Sequence, residues 1–265
     1  YDNMNAFFRT NGYDEVFSQE NYPADKVVNS FGVQDDFLYD YAIPVLNQRA
    51  ATGQPFFATL LSISNHPPYV IPPFFHPKTS EPETQIVEYA DWALRQFFEE
   101  ARKQPWFDNT IFVLEGDHGK LVGDAECELP ESYNHIPLMI YSSRIQPEEK
   151  TAFGGQVDIQ PTILGLLNID YLQNNFGVDL LKEERPCMFY TADNMVVGRN
   201  DTLLYLYNYE TQQELTYDIG NGKLNAVPMD DSFLPLKEYS FSMLQSAEFL
   251  VKHGKTLNSI PFTQQ

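Results

Sequence analysis

Apolar positions along the chain fall into two kinds of pattern. From Pro82 onward, Ile86, Ala90, Ala93, Leu94, Phe97 and Ala101 recur at spacings of three and four. That spacing lines one face of a helix, and Pro82 suits its first turn. A second helix is predicted to open at Asp35-Asp36 and continue through Tyr41 to Leu46, with Pro44 expected to kink or end it. Elsewhere the apolar residues run together. Residues 56–63 (FFATLLSI) form a near-continuous apolar run of strand length, as expected of a strand covered on both faces. Residues 111–114 and 136–141 read as two further strands, and Asp158 is placed to cap a helix carrying Ile159, Ile163, Leu166 and Leu167, with Pro161 tolerated in its first turn. Strands alternating with helices argue for an α/β sheet.

Beyond about Lys182 the texture changes. Residues 202–207 and 214–218 are β-like, joined by a short polar connection and followed by Asn221-Gly222, which reads as a hairpin. A final helix over 236–253 places Tyr239, Met243, Ala247 and Leu250 on one face and stops at Gly254. The expected organisation is an α/β core over 1–181 and a small hairpin-plus-helix subdomain over 182–265 that lies on the core. No internal repeat or low-complexity segment interrupts it.

Composition narrows the function classes. Against 37 acidic residues stand 17 basic ones, a formal charge of −20, and the basic residues never form a run. Nucleic acid, which is gripped through a basic stripe, is disfavoured as a partner, and so are anionic membrane surfaces. The apolar run 56–63 is far shorter than a membrane-spanning helix, and no basic-then-apolar leader opens the chain. The chain begins at Tyr1 without an initiator Met, so it reads as a mature piece or a fragment. Cys127 and Cys187 read as two unconnected thiols, with one bridge as the alternative.

The chemistry concentrates where apolar strands stop. Glu115-Gly116-Asp117-His118-Gly119 sets an acid beside an imidazole, between glycines, at the carboxyl end of a strand. Ligands gather at that end of an open α/β sheet. A Gly-flanked turn lets both side chains converge on one divalent ion, to which a carboxylate oxygen and an imidazole nitrogen are suited. The competing reading is a turn-capping Asp and a structural His. Ser64-Asn65-His66-Pro67-Pro68-Tyr69 holds Asn65 and His66 at another strand end, where His66 can donate to an anionic oxygen or protonate a leaving group. Arg9 is a candidate oxyanion clamp, with a plain salt bridge as the alternative. His135, just before the 136–141 strand, reaches the same end only if that strand is antiparallel to the others. His76 and His253 read as structural or exposed. No Gly-x-Ser-x-Gly elbow, phosphate-cradling loop or dinucleotide fingerprint is present. Two ligands do not make a metal site.

The order of these motifs carries a resemblance. Asn65-His66-Pro67-Pro68-Tyr69, then Tyr89-Ala90-Asp91, then Asp108-Asn109-Thr110-Ile111 into Gly116-Asp117-His118-Gly119, then His135-Ile136-Pro137-Leu138, then Gly155-Gln156-Val157-Asp158-Ile159-Gln160-Pro161-Thr162-Ile163-Leu164 resembles the lipoteichoic acid synthase branch of the sulfatase and alkaline phosphatase superfamily. It extends over about residues 1–181 and only loosely over the tail. The resemblance implies an alkaline phosphatase-like α/β fold, a largely parallel sheet between helices with one antiparallel strand that brings His135 to the active end. It implies Asp117 and His118 as metal ligands, for Mn or alternatively Zn, Mg or Ca. His66 would contact the substrate's phosphate group, with Asn65, Arg9 and His135 near it. The activity implied is a two-step phosphotransferase or ester hydrolase reaction through a covalent intermediate. It would act on phosphate or sulfate esters linked to lipid or glycan. The parent protein would be extracytoplasmic and membrane-anchored through an upstream segment. The acidic ligand and nucleophile of such proteins lie upstream of anything matched in this chain, so the polypeptide alone is expected to be inactive. A sulfatase acting on a glycan, or a non-catalytic domain that binds anionic glycans, is the alternative. The oligomeric state is left open.

Overall fold

A computed structural model describes residues 3–121, 123–220 and 222–255. The chain divides into two compact units, Tyr1–Val113 with Ile140–Ile145, and Leu114–Met139 with Gln146–Gln265.

The first unit opens with α1 (Met4–Thr10), followed by the short antiparallel strands β1 (Val27–Asn29) and β2 (Gly32–Val33). Its body is α2 (Asp35–Ala50) against α3 (Pro82–Ala101). The spacing read from the sequence explains α3: Ile86, Tyr89, Ala93, Phe97 and Ala101 are its buried residues. Ala42, Leu46, Phe97, Ala101, Trp106 and Phe107 form one apolar cluster. Polar groups at its edge are paired, with Trp106 Nε1 donating to Asn47 Oδ1 at 2.6 Å and Tyr89 Oη to Asp36 Oδ1 at 2.5 Å. Pro44 does not end α2, which runs six residues beyond it. Proline removes one N–H from the helical ladder, and burial of Ala42 and Leu46 on either side offsets that loss.

Residues 56–63 depart most from expectation. They form no strand, no backbone hydrogen bond joins 56–62 to another described segment, and Phe57 is 74% exposed and Leu61 52% exposed. Strand-like composition supplies two apolar faces, but a strand exists only once a neighbour takes its N–H and C=O groups. No such neighbour stands among the described residues. For the same reason the largely parallel sheet is not assembled among them: the sheets are β1–β2, a two-stranded β3 (Phe112–Glu115) and β4 (Leu138–Tyr141), and a five-stranded antiparallel sheet.

That five-stranded sheet is the frame of the second unit. After α4 (Ile159–Leu166), strands β5 (Met188–Ala192), β6 (Met195–Arg199), β7 (Leu203–Asn208), β8 (Gln213–Gly220) and β9 (Lys223–Ala226) pair in chain order. The expected hairpin is its β7–β8 ladder, with Leu203 opposite Asp218 and Asn208 opposite Gln213. Gly222, at φ +70°, turns the chain into β9, while Asn221 lies outside the described residues. Alternation splits β7 between two faces. Leu204 and Leu206 join Met195, Val197, Tyr217 and Leu129, whereas Tyr205 joins Phe233 and Leu236. The closing helix α5 (Leu234–Lys252) approaches β6 at Gly198, where an added Cβ would stand 2.6 Å from Ser240 Oγ and 3.1 Å from Leu236 O.

Asp158 is not the helix cap its position suggests. Its side chain makes no cap bond to α4. It is 0% exposed and accepts from Gly155 N (2.9 Å) and Val178 N (2.8 Å). It also pairs with Arg185, whose Nε lies 2.9 Å from both carboxylate oxygens and whose Nη2 lies 2.6 Å from Oδ1.

Candidate functional site

Two loops carry the candidate chemistry, one in each unit. In the first unit Asp35, 2% exposed, accepts hydrogen bonds from Ile63 N and Ser64 N, both at 3.0 Å, and so fixes the backbone entering Asn65-His66. Burial raises the Asp35 pKa, opposed by the bonds from Ser64 and Ile63. Asn65 and His66 are exposed. His66 N donates to Ile63 O at 3.0 Å, its ring lies 4.2 Å from the Phe31 ring, and its Nδ1 is 2.7 Å from Pro67 O. A carbonyl only accepts, so Nδ1 carries the proton and Nε2 is the nitrogen left for a ligand. Arg9, in the last turn of α1, donates through Nε to Asn5 Oδ1 (2.9 Å) and through Nη1 to Asp14 O (3.1 Å). These bonds hold the guanidinium against its own turn, and no carboxylate pairs with it among the described residues.

In the second unit, β3 stops at Glu115 and the chain turns through Gly116, Asp117, His118 and Gly119. Gly116 N donates to Pro137 O at 3.4 Å and Gly119 N to Tyr133 O at 2.8 Å. One residue number falls as the other rises, so the two segments run antiparallel. Between these two bonds lie Asp117 and His118 on one segment and Asn134, His135 and Ile136 on the other, so the register slips by one residue and His135 stands in the stretch that faces the Asp-His turn. A Cβ on Gly119 would lie 2.0 Å from Ser132 O, so only glycine permits the approach. The segment leading back to His135 is tied to the five-stranded sheet. Leu129 is buried in the sheet's cluster, Glu131 pairs with Arg199, and Glu128 accepts from Tyr217 Oη.

Asp117 and His118 are both exposed. Asp117 Oδ1 accepts from His118 N at 2.9 Å, and Asp117 Oδ2 lies 3.9 Å from His118 Nε2. His118 Nδ1 is 2.8 Å from Gly119 O, which again commits Nδ1 as donor and leaves Nε2 with a lone pair. Two ligands at ~2.0 Å on a tetrahedral ion stand ~3.3 Å apart, so the 3.9 Å separation needs only a small closure. The donor types and their spacing fit one side of a divalent cation. Among the described residues no third His, Cys, Asp or Glu joins them.

Gln156 is the site-adjacent residue that the sequence reading did not single out. Its Nε2 donates to Asp117 O at 3.0 Å and to Gly116 O at 3.3 Å. A lone Gln in a turn has no local signature, and only its place in the Gly-Gln-Val-Asp motif marked it. His76 and His253 are exposed, with His253 against Phe249 at 4.4 Å, and Cys127 and Cys187 are free thiols.

The second unit thus presents a glycine-flanked Asp-His turn at a strand end, met by an antiparallel return segment. The chain belongs to the sulfatase family, whose model matches residues 1–169. Among curated proteins it is similar to lipoteichoic acid synthase 1 of Bacillus subtilis, 26% identical over 243 residues that cover 83% of this chain and 36% of that protein. It is also similar to the lipoteichoic acid synthase of Staphylococcus saprophyticus, 26% identical over 69% of this chain and 31% of that protein. The chain thus spans about a third of the length of these relatives. A solved alkaline phosphatase superfamily protein from Vibrio parahaemolyticus superposes with a TM-score of 0.81 at 27% identity, covering 94% of this chain and 62% of that one. The lipoteichoic acid synthase LtaP from Listeria monocytogenes shares the fold, with a TM-score of 0.77 at 22% identity, covering 99% of this chain and 68% of that one. The fold class is therefore α/β, of the alkaline phosphatase superfamily, whose members are generally dependent on divalent metals.

Proposed function

We propose that this chain is part of an extracytoplasmic, metal-dependent enzyme that transfers or hydrolyses a phosphate or sulfate ester on a lipid or glycan, as a phosphoglycerol or phosphoethanolamine transferase would. The observation that carries the reading is the Asp117–His118 pair. Each side chain has one atom tied to the loop and one left over, 3.9 Å apart. A bound divalent cation, with Mn2+ the first choice, would supply charge to the ester oxygens and acidify a hydroxyl nucleophile. This chain's residues hold and orient. Asp117 supplies a carboxylate oxygen and His118 a neutral imidazole whose tautomer Gly119 O sets. His66, with Nδ1–H tied to Pro67 O, has Nε2 left over, and a second proton there, giving the imidazolium, makes it an N–H donor to an anionic oxygen or the acid for a leaving group. The Asn65 amide is assigned to the same kind of oxygen, and His135 to a polar contact beside His118. With a net charge of −20, long-range attraction of an anionic ester is absent, so positive charge has to be local.

Because only two donors stand together among the described residues, the reading requires further ligands and a nucleophile from a longer polypeptide, as the relatives' greater length suggests. No described helix is long and apolar enough to cross a membrane, so membrane anchoring is likewise assigned outside the described residues.

The test is Mn2+ and Zn2+ titration with elemental analysis, on this chain and on an N-terminally extended form, each with and without Asp117→Ala/His118→Ala. About one ion per extended chain, lost in the double variant, supports the reading, and phosphodiesters and sulfate esters are then assayed. No ion on the extended form sinks it in favour of a non-catalytic domain that grips anionic glycans.

A further inference from the structure

Gln156 lies in the one motif that the proposed chemistry leaves without a task. Its backbone is held from both sides. Gly155 and Asp158, on either side of it, are linked twice, by Asp158 N to Gly155 O and by Gly155 N to Asp158 Oδ2, both at 2.9 Å. Asp158 is in turn held by Arg185 and Val178 N, and Arg185 Nη1 reaches Tyr239 Oη on α5 at 3.3 Å. A Cβ on Gly155 would stand 2.5 Å from Met188 Cε, and one on Gly177 2.0 Å from Val157 O. The turn therefore sits against the Met188 side chain of β5 and, backbone to backbone, against Gly177.

From this base one side-chain amide reaches the Asp117 loop. An NH2 group has two hydrogens, enough for the carbonyls of Gly116 and Asp117 together. Those carbonyls belong to the two peptide planes that follow Gly116 and Asp117, so gripping them sets the direction of both the Asp117 and the His118 side chains. Glutamine does this without adding charge beside a carboxylate and an imidazole that would share a cation. We propose that Gln156 is a positioning residue: it transmits the rigidity of the Asp158–Arg185 anchor to the Gly116–Gly119 loop and holds the conformation in which that loop presents Asp117 and His118. The cation half of this inference rests on the reading under Proposed function.

Two measurements separate the inference from that reading. Backbone amide exchange of the metal-free chain, read by mass spectrometry over residues 114–121, reports the loop with no cation present. Gln156→Ala removes both bonds, and Gln156→Glu replaces the donor with a carboxylate facing two carbonyls. Exchange over 114–121 is expected to rise at least about fivefold in both variants, more in Gln156→Glu, with peptides from β5 to β9 unchanged. Gln160→Ala, whose partner Asn175 lies outside the loop, leaves exchange over 114–121 as in the wild type. Mn2+ affinity of the extended polypeptide is then expected to fall about tenfold in Gln156→Ala, the scale typical of outer-shell partners, at an unchanged melting temperature. Unchanged exchange over 114–121 overturns the proposal whatever Mn2+ does, and so does a loosened loop with full Mn2+ affinity. A loosened loop in a protein whose wild type takes no Mn2+ supports the role of Gln156 and overturns the metal reading instead.

Discussion

Replacing Arg185 by Met removes the guanidinium from a carboxylate that has no access to water. Asp158 is 0% exposed and the Arg185 side chain 8%, with three N–H···O contacts of 2.6–2.9 Å between them. Burial works against the guanidinium's charge, the bonds to Asp158 more than offset it, and the Arg185 pKa is raised. Breaking a buried pair by removing one partner costs about 3–5 kcal/mol, because the other charge stays behind. In Arg185→Met the carboxylate keeps its bonds from Gly155 N and Val178 N, which places the loss near ~3 kcal/mol, the lower end of that range. Asp158→Leu strands the guanidinium and both backbone N–H groups, and is expected near the ~5 kcal/mol end. The double variant should cost less than the two singles added, since neither charge is then left alone. Urea unfolding followed by far-UV circular dichroism is the assay. Trp92 and Trp106 lie in the first unit, so their fluorescence does not report on the pair. A loss below about 1 kcal/mol for Arg185→Met, the range of exposed pairs, would refute the reasoning and mean that water reaches Asp158.

Three further outcomes are expected. Gly119→Ala places a methyl group 2.0 Å from Ser132 O, which is backbone and cannot step aside, so the Gly119–Tyr133 bond breaks and stability drops by about 2 kcal/mol in thermal unfolding. Burial, with smaller contributions from Glu126, Glu128 and Glu131, pushes the Cys127 thiol up to about 11, and burial also raises Cys187. A thiol whose folded pKa exceeds its unfolded one adds stability that is complete below about 8.5 and lost as pH climbs towards 11. Both thiols should accordingly react more slowly with Ellman's reagent at about pH 8 than in urea, and an immediate full reaction would contradict this burial. Phe57→Lys should change stability by less than about 0.5 kcal/mol and lower the binding of an apolar dye, because Phe57 is 74% exposed; unfolding of that variant would show the side chain to be buried in solution.

Local patterns carried the helices into the sequence reading and left the long-range pairings out. The face of α3 was legible because its buried residues recur every three or four positions, a property of the segment alone. The run 56–63 was legible as apolar but not as unpaired, since a strand's existence depends on groups elsewhere in the chain. Within the five-stranded sheet, β7 and β8 read as β-like, whereas β6, buried from Met195 to Gly198, carries no polar residue before Arg199. Asp158 preceding a helix reads as a cap, and nothing local points to Arg185, 27 residues on. At the site, the adjacency of Asp117 and His118 was visible in sequence. Their tautomer and their support from Gln156 are matters of backbone carbonyls, which sequence does not distinguish.

The fastening of the segment after Asp117 has a consequence for proteolysis. Lys120 is exposed, and no Lys or Arg follows it until Arg144. Trypsin acting between Lys103 and Arg144 therefore has a single bond to cut, immediately after the Asp-His turn. Downstream of that bond, Leu129 is sunk in the sheet's apolar cluster, Glu131 and Glu128 are bound to Arg199 and Tyr217, and β4 remains paired with β3. A nicked chain would run as two pieces once denatured, yet sediment as one particle under native conditions. The covalent link between the Asp-His turn and its return strand is then expected to be dispensable, since β3–β4 pairing and the Gly116–Pro137 and Gly119–Tyr133 bonds cross the cut.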